Sequence, residues 1–306
     1  MFETVFTQVV ILFILIFLGF ILNKTKILND SAVKGMTDLV LYLVTPAAII
    51  NSFIREYRTE LLKNLGIGLI ATFIAHIVFI LLSLLLIRSK NLSRQKVLQF
   101  GIIFSNCGYM SLPLLQSLLG DDGVFFGATY IAVFQLFIWS YGVFLMGEGF
   151  KSITAKKVIL NPGLIGFLIA FVIFVANINV PSVIREPIYY MASLNTPLPM
   201  LIIGFHLANS NIISGLKDIK LLFSVILKLF VLPIILILGF YLCGLKGTMP
   251  LAISICASAP TAAITTMFSD KFGKDTSLSV TMVSLTTLLS VVTMPLVITL
   301  AEKLLV

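Results

Sequence analysis

The chain has 306 residues, of which 59% are hydrophobic and 11% are charged. A soluble domain carries about 25% charged residues, so we predict an all-α membrane protein that lies mostly in lipid. The net charge of +8 does not indicate nucleic-acid binding, because Lys and Arg stand in short clusters between apolar runs. The cysteines lack metal-ligand spacing, and we predict no metal and no cofactor. They are Cys107, Cys243 and Cys256.

Ten apolar runs are long enough to cross a bilayer, which takes about 20 residues. The predicted spans are 4–22, 33–53, 64–87, 97–119, 123–147, 160–179, 187–209, 219–243, 248–269 and 276–301. The first run has no basic segment before it and no cleavage site after it, so we interpret it as a retained helix. An even number of spans places both termini on the same side of the membrane.

Loop charge predicts which side that is. Fourteen Lys and Arg lie in loops on the side opposite the termini, and six lie on the side of the termini. By the positive-inside rule, both termini are predicted to be extracellular and the protein to lie in the cytoplasmic membrane. The fourteen are Lys24, Lys26, Lys34, Arg88, Lys90, Arg94, Lys96, Lys151, Lys156, Lys157, Lys217, Lys220, Lys271 and Lys274.

Corresponding turn and polar residues recur in the two halves of the chain at an offset of about 152 residues. The matching pairs are Thr45-Pro46 with Thr196-Pro197, Gly120 with Gly273, Asp122 with Asp275, and His76 with Lys228. Each Asp precedes a new span and is predicted to cap it. Residues 1–155 and 156–306 are therefore predicted to be two five-helix repeats, and the odd number of spans inverts the second. Inverted repeats are typical of secondary transporters.

Spans four and nine are interrupted at equivalent places, by "SNCGYMSLP" and "CASAPTAAITT". Proline and glycine break helices, and a break inside lipid survives only where it faces protein or a wet cavity. Pro260 is predicted to take the first position of a half-helix, with hydroxyls from Ser258 and Thr261 at its start. Two such helix starts, with Asn106 beside them, predict a small site for an anion, most naturally a carboxylate.

The same segments resemble a known family. In "FSNCGYMSLPLLQSLLG", Asn106, Met110 and Pro113 match the fourth-helix motif of the auxin efflux carrier family, which includes plant carriers and bacterial organic-acid permeases. "ASAPTAAITTMFSDKFG" resembles its ninth-helix Pro motif, and "LKLFVLP" its basic residue in helix eight. Two residues depart from the pattern: Ser111 stands where the family usually has Gly, and Thr261 where plant carriers often have Gln. The similarity covers the whole chain.

The resemblance implies broken helices 4 and 9 that cross at the midplane, and an elevator mechanism. It implies a scaffold of spans 4–22, 33–53, 160–179 and 187–209, with residues 64–147 and 219–301 as a mobile transport domain. It also allows a homodimer through the scaffold helices. The residues expected at the substrate are Asn106, Cys107, Gly108, Tyr109, Pro113, Ser258, Pro260 and Thr261.

Other polar residues in the spans are supporting candidates. Lys228 lies near the centre of span eight, where it either supports anion binding, bonds free carbonyls or extends its charge to the interface. His76 is a proton carrier or, alternatively, a neutral histidine bonded to a carbonyl. Gln116, Thr45 and Thr196 complete the set.

The function predicted is a carrier for a small organic anion rather than an enzyme, because the two histidines stand alone in different halves. No Asp or Glu lies deep in a span, which favours an anionic substrate and does not support a sodium site built from carboxylates. Two alternatives remain: a sodium-coupled symporter of the bile-acid type, and an anion channel.

Overall fold

The computed structural model describes residues 2–147, 149–153, 156, 160–209 and 215–306, and these form an all-helical protein without a sheet. The helices are α1 (Phe2–Lys24), α2 (Asp30–Leu39), α3 (Thr45–Phe53), α4 (Thr59–Leu86), α5 (Leu92–Ile103), α6 (Leu112–Phe137), α7 (Val143–Met146), α8 (Pro162–Val175), α9 (Ser182–Ser193), α10 (Pro197–Ala208), α11 (Ile219–Ile226), α12 (Leu232–Leu242), α13 (Thr248–Ser258), α14 (Ile264–Lys271) and α15 (Thr276–Leu305). Five-residue π-helical turns connect or precede several of them, at Val40–Val44, Cys107–Ser111, Ile138–Gly142 and Leu227–Val231.

Seven helical runs in the described ranges are long and apolar enough to cross a membrane. This confirms the prediction of an all-α membrane protein, although the number differs from the ten predicted spans. Part of the difference comes from the two interrupted spans. Predicted span nine is split into α13 and α14, and α5 is separated from the rest of span four. The seven are Phe2–Lys24, Asp30–Phe53, Thr59–Leu86, Cys107–Met146, Ser182–Ala208, Ile219–Leu242 and Thr276–Leu305.

The 40-residue run Cys107–Met146 contains the junction between predicted spans four and five. Gly120 lies inside it with φ +62° and ψ −151°, which is not helical, so the chain turns there. Gly273, its predicted counterpart, also has a positive φ of 60°. Only glycine adopts this backbone region without strain, which explains why the sequence has glycine at both places.

The predicted caps differ between the halves. The Oδ1 atom of Asp275 accepts the Leu278 N–H at 2.9 Å, which confirms a cap at the start of α15. At Asp122 the structure instead shows an ion pair, with Arg55 Nη1 at 2.5 Å from Oδ1. The Arg55 guanidinium also lies 4.9 Å from the centre of the Phe125 ring. The Arg55 cation, which also lies over the Phe125 ring, thus pairs with a carboxylate that was expected to bind helix amides.

Gly273→Ala is expected to lower the free energy of unfolding in detergent by about 1 kcal/mol, because alanine is disfavoured at positive φ. A Cβ atom there would meet no atom within 4 Å, so the backbone conformation alone carries the cost. Gly35→Ala is a matched control, since Gly35 is helical and its Cβ would also meet open space. Thermal unfolding of both variants checks this, and equal stability would contradict it.

Helix packing relates the two halves of the chain. Predicted span one packs against span seven through α1 and α10, and span two packs against span six through α3 and α8. The α1–α10 contact is very close, since a Cβ atom at Gly204 would lie 2.0 Å from the Ile16 carbonyl oxygen. In the other part of the molecule, α13 packs against α6, α12 and α15. Those contacts surround the two helix breaks.

Candidate functional site

The two helix breaks lie against each other. The first break, residues 104–106, separates α5 from the π-turn at Cys107, and the second, residues 259–263, separates α13 from α14. Asn106 N–H donates to Pro260 O at 2.7 Å, and Ala262 N–H donates to Phe104 O at 2.9 Å. These bonds form an antiparallel bridge between Ser105 and Thr261. Each break thereby provides hydrogen-bond partners for backbone groups of the other. Such partners are required because lipid offers none. We call residues 104–106 and 259–263 the crossing.

The prediction that Pro260 begins a half-helix is wrong. α14 begins at Ile264, and Pro260 lies four residues before it, outside any helix. The physical reason is that a proline disfavours helical geometry in the residue before it. Ala259 accordingly has φ −60° and ψ 150°, which ends α13. Pro260 therefore holds the second break extended and presents its carbonyl to Asn106.

The two hydroxyls expected at that helix start do not cap it. Ser258 Oγ donates to Ile255 O at 2.9 Å, within its own helix. Thr261 Oγ1 donates to Gly101 O at 2.9 Å, and so ties the second break to α5. Since α14 starts later than predicted, both hydroxyls instead serve carbonyls that the helix ends leave free.

Asn106 is the residue of the crossing with an unused hydrogen-bond donor. Asn106 is only 5% exposed, and its Nδ2 atom has no hydrogen-bond partner within the described residues. Two residues later, a Cβ atom added to Gly108 would meet nothing within 4 Å, and Gly108 is partly exposed. A buried amide donor without a partner is costly, and a bound acceptor would relieve that cost.

The other predicted residues of this segment have packing roles. Cys107 is buried, and its N–H donates to Ser105 O at 2.8 Å. Tyr109 is buried in a hydrophobic cluster with residues of α1 and α10, such as Leu12 and Met200. Pro113 is buried at the second position of α6. These contacts fix the backbone on which Asn106 and Gly108 are carried.

Lys228 contacts the crossing directly. It is fully buried in a π-turn, and its Nζ atom donates to Ser105 Oγ. Ser105 Oγ in turn donates to Ala257 O at 3.2 Å, next to the end of α13, and lies 3.2 Å from the Tyr130 hydroxyl. The alternative that the ammonium extends to the interface is wrong, because the side chain is inaccessible. The Lys228 amine therefore lies beside the first break.

His76 is bonded to a carbonyl, as one alternative predicted. Its Nδ1 atom lies 2.9 Å from Thr72 O, and since a carbonyl only accepts, Nδ1 carries the proton. The ring is fully buried, lies 5.0 Å from the Tyr130 ring and stacks on Phe137 at 5.1 Å. These contacts place the imidazole next to the aromatic partner of Ser105.

Three supporting candidates make contacts outside the crossing. Gln116 is exposed, and its Nε2 atom donates to Asp121 Oδ1 at 3.1 Å. Thr45 Oγ1 donates to Asn195 Oδ1 at 3.3 Å, which joins the start of α3 to the residues before α10. Thr196 lies partly buried immediately before α10. The Gln116 contact lies within α6, around Gly120, and the Thr45 contact joins two helices, so neither contact reaches the crossing.

Sequence analysis missed the contribution of α15. Thr286 Oγ1 accepts the Thr261 N–H at 3.2 Å, and Ser290 Oγ lies 3.8 Å from Met110 Sδ. The available signal was their spacing, because residues four apart share one face of a helix. The buried hydroxyl residues of α15 are Ser279, Thr281, Ser284, Thr286, Thr287, Ser290 and Thr293.

Comparison with known proteins agrees with this architecture. The profile of the family described as "Membrane transport protein" matches residues 4–298. An uncharacterized transporter of Methanothermobacter thermautotrophicus is 24% identical over 293 residues, which is 92% of this chain and 94% of that protein. An uncharacterized transporter of Methanocaldococcus jannaschii is 23% identical over 297 residues, with the same coverage. The chain belongs to this membrane transport protein family, the family of the auxin efflux carriers.

Proposed function

We propose that this protein is a secondary active transporter that moves a small organic anion, most naturally a carboxylate, across the cytoplasmic membrane. The observation that carries the proposal is the buried Nδ2 donor of Asn106, which has no hydrogen-bond partner among the described residues. Gly108, two residues later, is partly exposed and leaves open space where a side chain would be. Both lie where two broken helices meet, which is where secondary transporters bind substrate. The coarser function, membrane transport, follows from the family.

The charges around the crossing favour an anion. The ammonium of Lys228 bonds to Ser105, one residue before Asn106. The π-turn that starts at Cys107 adds the positive end of a helix dipole close to the same place. The ion pairs recorded among the described residues, Arg55–Asp122 and Arg94–Asp218, both lie outside the crossing. A carboxylate would therefore meet donors and positive charge there.

Ten spans arranged as two inverted repeats are part of the proposal. Span one contacts span seven while span two contacts span six. An exchange of the two halves would turn one of these contacts into the other, which supports the proposal. The positive φ angles of Gly120 and Gly273 support the same equivalence. We propose that spans one, two, six and seven form a scaffold, with both termini extracellular and a dimer contact on the scaffold. The helices around the crossing would move as an elevator.

Flux into proteoliposomes tests the transport function. Purified protein is reconstituted, and uptake of labelled acetate, benzoate, succinate and citrate is measured with and without sodium and a pH gradient. We expect saturable uptake of at least one carboxylate above that of empty vesicles. Strict dependence on sodium would favour the bile-acid type of symporter, and non-saturable conductance would favour a channel. Uptake of none of the four would contradict a carboxylate carrier.

A further inference from the structure

Thr287 is one of the hydroxyl residues on α15 whose side chain makes no hydrogen bond within the described residues. It is 1% exposed. Most buried hydroxyls on this helix donate to a carbonyl of the preceding turn, as Thr286 and Ser290 do. A buried polar atom without a partner requires an explanation, and a ligand that is bound during transport is one.

Thr287 lies in the layer of the crossing. The hydroxyl of its neighbour Thr286 accepts the Thr261 N–H at 3.2 Å. The backbone carbonyl of Thr287 accepts the Ser290 hydroxyl at 2.6 Å. Ser290 also contacts Met110, whose N–H donates to the Asn106 carbonyl at 3.1 Å. One chain of contacts therefore joins Thr287 to Asn106, whose Nδ2 atom also lacks a partner among the described residues.

Helix geometry places Thr287 at the edge of the face that contacts the crossing. Eleven residues make about three turns of an α-helix, so Thr287 shares a face with Thr276. At the first turns of α15 that face lines a cavity of about 170 Å³. Thr286 and Ser290 lie on the adjacent face, where they contact Thr261 of the second break and Met110 of the π-turn. The cavity is lined by Asn209, Thr276, Ser277, Val280 and Thr281.

We infer that Thr287 is a substrate-contacting residue of the transport site, an inference that rests on the proposed function. A carboxylate has two oxygens that only accept hydrogen bonds. One oxygen accepts from Asn106 Nδ2, and the other accepts from Thr287 Oγ1.

The test is the dissociation constant of the tightest of acetate, benzoate, succinate and citrate, measured on the purified full chain. Thr287→Val keeps the shape of the side chain and removes the hydroxyl, and we expect binding about tenfold weaker. The unfolding temperature should not fall, because Oγ1 has no partner within the described protein. Thr287→Ser retains a hydroxyl and should bind within about threefold of wild type.

Thr293→Val is the matched control. Thr293 is also buried on α15, and its Oγ1 atom likewise has no partner among the described residues, but it lies almost two turns further along. The Thr293→Val variant should bind the carboxylate with wild-type affinity. Wild-type affinity in Thr287→Val, or equal losses in Thr287→Val and Thr293→Val, would overturn the inference. If the valine variant does not fold, Thr287→Ala replaces it in the same comparison.

Failure of the inference differs from failure of the proposed function. If wild-type protein binds none of the four carboxylates, the proposed function fails before any variant is compared. A different result would remove only Thr287 from the site. In that result the wild-type protein binds one of the carboxylates, Asn106→Ala weakens the binding, and Thr287→Val leaves it unchanged.

Discussion

Lys228→Met is expected to weaken carboxylate binding about tenfold or more, while the unfolding temperature stays the same or rises. The ammonium is fully buried, and neither ion pair recorded among the described residues includes it. A charge inside a membrane protein costs at least about 2.5 kcal/mol, so methionine removes that cost. Ser105 keeps its contacts with Ala257 O and Tyr130. The loss should therefore appear in affinity rather than in stability.

Lys220→Met is the control for Lys228→Met. Lys220 lies two turns earlier on the same helix, is exposed and donates to Arg88 O. Its replacement should change the affinity less than about twofold. Lys228→Arg, which keeps the charge, should retain more affinity than the methionine variant. Poor folding of Lys228→Met with wild-type affinity in the folded fraction would mean that Lys228 is structural only.

Asn106→Ala is expected to weaken carboxylate binding about tenfold or more with little effect on folding. Hydrogen bonds to charged groups contribute about 1.5–3 kcal/mol, which corresponds to tenfold or more in affinity. The backbone bond from Asn106 N–H to Pro260 O does not depend on the side chain and should persist. Isothermal titration calorimetry and thermal unfolding of the purified variant measure the two effects.

Asn106→Asp sharpens this prediction, because it keeps the size of the side chain while adding a negative charge. It should bind carboxylates more weakly than Asn106→Ala. Asn195→Ala serves as a control, since Asn195 is buried at another helix junction, where its amide oxygen accepts from Thr45. It should lower stability and leave affinity unchanged. Wild-type affinity in both Asn106 variants would remove Asn106 from the site.

Backbone features were predictable from the sequence where one residue type has a strong physical preference. Gly120 and Gly273 could be paired because only glycine suits the positive φ that both adopt. Asp275 could be assigned as a cap from its position before an apolar run. The helix interruption at Pro260 was predictable, but its geometry was not. Proline permits either the first turn of a helix or extended backbone, and partners distant in sequence decide between them.

Side-chain partners across the two halves could not be predicted. Lys228 and Ser105 are 123 residues apart, and no local pattern indicates that their side chains meet. Thr286 and Thr287 were missed because threonine in an apolar helix usually bonds to its own backbone, as Thr286 also does. Only a tertiary contact, the hydrogen bond that Thr286 Oγ1 accepts from Thr261 N–H, distinguishes Thr286 from the other hydroxyls of the helix.

The most direct measurement of an anion site at the crossing compares a carboxylate with its uncharged primary amide. Both ligands have the same carbon skeleton, and their dissociation constants from the wild-type protein are measured by calorimetry at neutral pH. Because the Asn106 donor and the Lys228 ammonium favour a negative charge, the carboxylate should bind about a hundredfold more tightly. Equal affinities, or tighter binding of the amide, would contradict an anion site.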